Sequence, residues 1–310
     1  MSGREPHPDR RSLQWTAVAP QATGVTADAS AAPRPTATRW TLRTATALAT
    51  GGVLLQVAYV LIDDEPRRIA TLASVVLFAL AGLAHAIAAR GVRWGLGMAL
   101  TVAGLALLVE AMGTATGFPF GAYSYTGTLG VEVAGVPLLI PLAWLWMAYP
   151  SYLAGQALGG RRWGWLIGAW TLAAWDLFVD PQMVDAGYWT WDNPTPALPG
   201  IPGIPLTNYA GWLGTAILMM LAIDALRRLT ERTQRLPDPG HLPADLVPAV
   251  VLVWTYLSSV LANLVFLGRP AAAAWLAVLM GLTVVPYLRL LLGDLRAASG
   301  ASTADEAPAS

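Results

Sequence analysis

Carboxylic acids set among apolar and aromatic residues are the groups here whose types and spacing could do chemistry. In "AWDLFVDPQMVDAGYWTWDNP" (174–194), Asp176, Asp180, Asp185 and Asp192 are interleaved with Tyr188, Trp189 and Trp191, and the stretch holds no basic residue. Asp176 and Asp180 are four apart, which places both on one face of a helix. Glu110 sits late in another apolar run, upstream of Tyr123 and Tyr125 in "GFPFGAYSYTG". Burial without a cationic partner favours the neutral form of a carboxyl, and a carboxyl that keeps its proton near neutral pH can serve as a general acid. Aromatic faces stabilise positive charge. Acids and aromatics in a greasy cavity therefore suit protonation of an alkene and shelter of the carbocation it forms. The same acids can instead cap helix ends or bond neighbouring hydroxyls and amides. That reading applies most to Asp180, beside Pro181, while Asp185 and Asp192 read as loop acids.

The remaining polar candidates are fewer. Asn208, after the "PGIPGIPLT" turn, and Asn263 can orient water or bond to another helix. His85 stands alone in an apolar run and reads as a hydrogen-bonded core residue. Trp144, Trp146, Tyr149 and Trp212 suit the aromatic belt of a membrane interface, with Trp144 and Trp212 also close enough to the acids to line a site. No His and carboxylate cluster has metal-ligand spacing, and no glycine-rich loop follows a strand to bind nucleotide. The chain has no cysteine, which excludes disulfides, thiolate nucleophiles and Cys-ligated metals.

The elements that must position these groups are membrane helices. Hydrophobic residues make up 55% of the chain and charged residues 12%, with 14 tryptophans, a composition that points to a membrane protein. Apolar stretches follow one another at 41–62, 69–89, 94–117, 136–158, 163–180, 206–226, 246–267 and 270–292. Each is long enough to cross a ~30 Å hydrocarbon core as a helix. The fold expected is therefore all-α: a polytopic membrane protein of about eight helices. The catalytic domain spans 39–295, between disordered tails at 1–38 and 296–310. Arg10 and Arg11 lack the sustained apolar core of an export signal behind them, so the N-terminal tail reads as cytoplasmic. All 19 basic residues are arginine, and with both termini cytoplasmic only Arg67, Arg68 and Arg269 fall on the outer side. A net charge of zero gives no sign of a nucleic-acid partner.

An internal repeat is also legible. Aligned without a gap, 109–127 and 175–193 set Glu110 against Asp176, Gly121 against Gly187, Tyr123 against Trp189 and Tyr125 against Trp191. Further on, "GVPLLIPLAWL" (135–145) matches "GIPLTNYAGWL" (203–213). Helices 3–4 and 5–6 would then be parallel repeats about an axis along the membrane normal.

The runs "GFPFGAYSYTGTLG" (117–130), "VPLLIPLAWLWMAYPSY" (136–152), "AWDLFVDPQMVDAGYWTW" (174–191) and "PGIPGIPLTNYAGW" (199–212) resemble the CruF-type carotenoid biosynthesis proteins. These are cofactor-independent carotenoid 1′,2′-hydratases, and they include the bisanhydrobacterioruberin hydratases. The resemblance covers about 45–292 and implies addition of water across the terminal C1=C2 bond of an acyclic ψ-end, on lycopene, γ-carotene or a C50 carotenoid. It implies a substrate taken from the bilayer, membrane lipids as surroundings, no cofactor, and other carotenoid biosynthesis enzymes, such as a glycosyltransferase or desaturase, acting next. The family supplies no residue roles, so the assignment rests on the physical reading. Asp176 or Glu110 protonates C2, and Tyr123, Tyr125, Trp189 or Trp191 holds the tertiary cation. Water positioned by Asp180 or Asn208 attacks C1. Two rivals fit the same groups: an end-group cyclase, in which an internal alkene captures the cation, and a non-catalytic carotenoid-binding protein or transporter.

Overall fold

The computed structural model describes residues 36–305, with side chains described over 38–298, and is mostly helical. In chain order the helices are α1 (Thr36–Tyr59), α2 (Asp64–Arg90), α3 (Val92–Thr116), α4 (Leu139–Asp185), α5 (Leu206–Glu231), α6 (Leu246–Leu261), α7 (Pro270–Leu279) and α8 (Gly281–Asp305). A π-helical turn, Ala262–Phe266, extends α6. The tails expected at 1–38 and 296–310 lie outside the described residues before 36 and after 305; between 296 and 305 α8 continues helical, through the good helix formers Ala297 and Ala298.

Among the described residues four helices are long and apolar enough to cross a membrane: α2, α3, α5, and α6 with its π turn. The bent pair α7–α8 makes a fifth if it is one span. The other expected crossings, α1 and the two arms of α4, are interrupted by Thr, Gly and Gln or by Trp, Tyr, Pro and Asp, which dilute their hydropathy. Helix ends obey local chemistry. Asp64 and Glu65 occupy the first turn of α2 and Arg90 its last, matching the helix dipole, and Gly117 ends α3 in the left-handed conformation at φ 76°.

α4 is a hairpin. Gly160 (φ 54°, ψ −154°) breaks the helix, and the arms 139–159 and 161–185 fold back on each other. A Cβ on Gly155 would lie 2.3 Å from the Gly164 carbonyl oxygen and 2.8 Å from Gly168 Cα, so glycine is what lets the two backbones touch. The second arm does not stop at 180, as the sequence predicts from Pro181; it runs to Asp185. Proline removes one backbone donor, and a packed membrane helix tolerates that loss.

The all-α expectation also missed short strands in the loops that carry the aromatics. β1 (Tyr123–Tyr125) pairs antiparallel with β4 (Trp189–Trp191), in the register Tyr123↔Trp191, Ser124↔Thr190 and Tyr125↔Trp189. β2 (Glu132–Val133) pairs with β3 (Val136–Pro137), and β5 (Ala197–Leu198) with β6 (Ile201–Pro205). The β1–β4 pair locks the loop after α3 to the loop after α4 and so fixes the aromatics over the ends of both helices. The buried centre is aromatic, with Trp94, Trp144, Trp175, Tyr149 and Tyr152 almost wholly enclosed, while large apolar residues such as Leu54, Leu100, Leu108 and Leu218 stay exposed on the helices. Such an apolar exterior is what lipid would cover.

Candidate active site

Glu110 is buried on α3 and both of its carboxyl oxygens accept hydrogen bonds. Oε2 accepts from the Tyr123 hydroxyl at 2.5 Å and the Tyr125 hydroxyl at 2.8 Å, and Oε1 accepts from Trp144 Nε1 at 3.0 Å. The tyrosines reach it because β1 lies over the last turns of α3. Gly113, one turn beyond Glu110, leaves room, since a Cβ there would lie 2.9 Å from the Tyr123 hydroxyl.

Asp176 and Asp180, one turn apart on the second arm of α4, meet the side chain of Asn208 from α5. Asn208 Nδ2 donates to Asp176 Oδ2 at 2.7 Å and also to Asp180 Oδ2. Trp189 Nε1 donates to Asp180 Oδ1 at 3.2 Å. The two carboxyls interact directly with each other as well. Asp176 Oδ1 is buried with no N–H or O–H donor among the described residues. Asp180 therefore does not cap a helix end; it is an interior group held by a tryptophan and an asparagine.

A cavity of about 50 Å³ lies between Glu110 and Asp180, room for a few water molecules. Glu110, Asp180, Asn208, Tyr123, Tyr125, Trp144, Trp189, Trp191 and Trp212 line it, together with Phe120, Ile140, Ala143, Trp175 and Val179. Asp176 does not: it stands behind Asp180 and Asn208, fully enclosed. Of the expected site residues, Tyr188 is the one turned away, toward Thr71 of α2. Side chains alternate along a strand, so Trp189 and Trp191 share the face that Tyr188 cannot. Trp144 and Trp212 are not belt residues here; they stack on each other as one wall. The added wall residues had a partial sequence signal, because Trp175 and Val179 are four apart and lie on the helical face next to that of Asp176 and Asp180.

Outside the cavity several charged groups meet opposite charges. Asp185, one of the acids without a nearby base in sequence, meets Arg269 at 2.5 Å. Arg67 and Arg68 meet Asp63 and Glu65 at 2.5 Å each. His85 is a core residue, with Nδ1 3.0 Å from the Tyr149 hydroxyl and Nε2 3.0 Å from the Ala244 carbonyl. Asn263 donates to the Ser259 carbonyl within its own helix. Among the described residues no three His, Asp or Glu side chains converge as metal ligands would.

The membrane-length helices and this acid-and-aromatic cavity define a helical membrane protein with a small, acid-lined pocket. The chain belongs to the carotenoid biosynthesis protein family, whose model matches residues 70–285. Among curated proteins it is similar to the bisanhydrobacterioruberin hydratase of Haloarcula japonica, at 31% identity over 183 residues. That alignment spans 54% of this chain and 60% of the relative's length. No solved structure matches it.

Proposed function

We propose that the protein is a carotenoid hydratase that adds water to the terminal C1=C2 bond of an acyclic ψ-end. The observation that carries this reading is the pair Asp176–Asp180: two enclosed carboxyls on one amide, with no cation beside them and aromatic rings in front. Two such acids in contact cannot both be charged at low cost, so the pair retains a proton. Asp180, the member that lines the cavity, delivers that proton to C2. The tertiary cation at C1 forms opposite Glu110, whose three hydrogen bonds suit an anion, and among the rings of Tyr123, Trp144, Trp189, Trp191 and Trp212. Water held in the cavity attacks C1, and the proton it releases returns to Asp180, so the pair ends the cycle as it began. No cofactor takes part in this scheme. The similarity to a named hydratase supports the reaction type.

The same proposal includes the membrane arrangement. α1, the two arms of α4 and the α7–α8 pair complete eight crossings, with both termini cytoplasmic in the cell membrane and the acids toward the outer side. The three outer-side arginines, each paired with an acid, agree with this orientation. The repeat reading has support in the same contacts. Positions matched by the sequence alignment pair across one another, Tyr123 with Trp191 and Tyr125 with Trp189, both at 5.8 Å between ring centroids, as a two-fold relation requires.

The test is to incubate the protein in liposomes with lycopene in water labelled with heavy oxygen. Hydration puts the heavy isotope into a tertiary alcohol. A product of unchanged mass would instead favour a cyclase, and no conversion of a bound carotenoid a scaffold.

A further inference from the structure

A second cavity, about 350 Å³, lies against the first, and among the described residues that line it none is charged. It runs between α1, α2, both arms of α4 and α6, and it shares Ile140, Ala143, Trp175, Val179 and Trp189 with the acid-lined cavity. Those five residues are therefore a common wall between a hydrocarbon chamber and the carboxyls. At its far end Val57, Leu61, Leu261 and Phe266, from the ends of α1 and α6, line the chamber while remaining exposed on the apolar exterior. Gln56 accepts a hydrogen bond from Trp254 Nε1 at 2.7 Å, tying α1 to α6 across the chamber.

We propose that this chamber is the binding groove for the polyene next to its reacting end, and that the carotenoid enters it sideways from the lipid through the gap between α1 and α6. The inference rests on the hydratase reading for the identity of the reacting end, but not for the occupant of the groove. An uncharged chamber open to the apolar exterior accepts a hydrocarbon and rejects an ion. Its position allows a chain lying in it to present a terminus at Val179 and Trp189, beside Asp180. Its size sets how much is held. A C40 polyene is about as long as the ~30 Å hydrocarbon core is thick, while about 350 Å³ is at the small end of small-molecule sites. The groove thus encloses one terminal portion and leaves the rest in lipid.

The absence of cysteine makes a direct test simple. Ser258→Cys places one thiol on the groove wall, and Leu100→Cys places one on the outer face of α3, away from it. Each full-length protein is reconstituted in liposomes and labelled with a membrane-permeant maleimide, with and without lycopene. The expected result is labelling slowed about tenfold at position 258 once lycopene fills most sites by mass action, with little change at position 100. Equal rates at both positions, with or without lycopene, would overturn the groove. Hydration is followed in the same samples, so the two ideas separate. Protection without hydration keeps the groove and removes the hydratase reading, while hydration without protection does the reverse.

Discussion

Trp144 and Trp212 stack face to face, their ring centroids 3.8 Å apart and their planes 16° from parallel. Only Trp144 also donates to Glu110, so the two members of the stack are expected to behave differently. Trp144→Phe keeps an aromatic face and removes one of three donors from a buried carboxyl. A hydrogen bond to a charged group contributes roughly 1.5–3 kcal/mol, which corresponds to a fall in kcat of about tenfold or more with KM nearly unchanged. Trp212→Phe keeps the wall and should cost far less. Steady-state kinetics on both variants checks this, and equal losses would mean that the stack matters and the bond to Glu110 does not.

The carboxyls should also rank by role. Asp180→Asn removes the proton donor and is expected to lower turnover by roughly 10²–10⁴-fold, the usual range for a general acid. Glu110→Gln leaves the proton source but replaces one carboxyl oxygen opposite the cation with an amide NH₂, with an expected loss of about 10²–10³-fold. Asp176→Asn leaves Asp180 without a second carboxyl to exchange its proton with, so activity should fall while lycopene binding persists. Initial rates, normalised to protein recovered from the membrane, give the order.

Gly113 makes room for the tyrosine on Glu110. Gly113→Ala introduces a methyl 2.9 Å from the Tyr123 hydroxyl and 3.0 Å from the Phe120 ring, distances that force one of them to move. The expected outcome is a rate loss approaching that of Tyr123→Phe, from a residue that never touches substrate. Combining the two changes should add little, because neighbouring groups that act on one contact are not additive.

At the other end of the bundle a buried ion pair holds the loop after α5. Arg90 bonds Asp245 twice, at 2.8 and 2.7 Å, and donates to Tyr149 at 2.6 Å, while Asp245 also accepts from the Gly240 N–H at 2.6 Å. Removing one member of an enclosed pair strands the other charge, at a cost of about 3–5 kcal/mol. Asp245→Asn should therefore lower thermal stability in detergent sharply, and the equally charge-removing but exposed Asp63→Asn should not.

Much of this arrangement could be read from residue order. Hydropathy located the helices, the spacing of Asp176 and Asp180 placed them together, and the match of Trp144 to Trp212 named the residues that stack. What was missed depends on contacts between distant segments. Asp185 looked unpaired because Arg269 is 84 residues away. Tyr188 looked like a site residue because the strand that turns it away forms only when β1 reaches β4. Which acid faces the cavity is set by the approach of Asn208 from α5, and nothing in the helical spacing alone separates Asp176 from Asp180. Pro181 suggested a helix end, and packing carried the helix past it.

The central claim is that Asp180 protonates a terminal alkene so that water can add. Its most direct test is mass spectrometry of carotenoids from a lycopene-producing host that expresses the native chain or Asp180→Asn, with protein levels matched in the membrane. The expected result is a carotenoid heavier by one water per hydrated end in the native strain and unaltered lycopene in the variant. Hydrated product in equal amounts from both strains would contradict it.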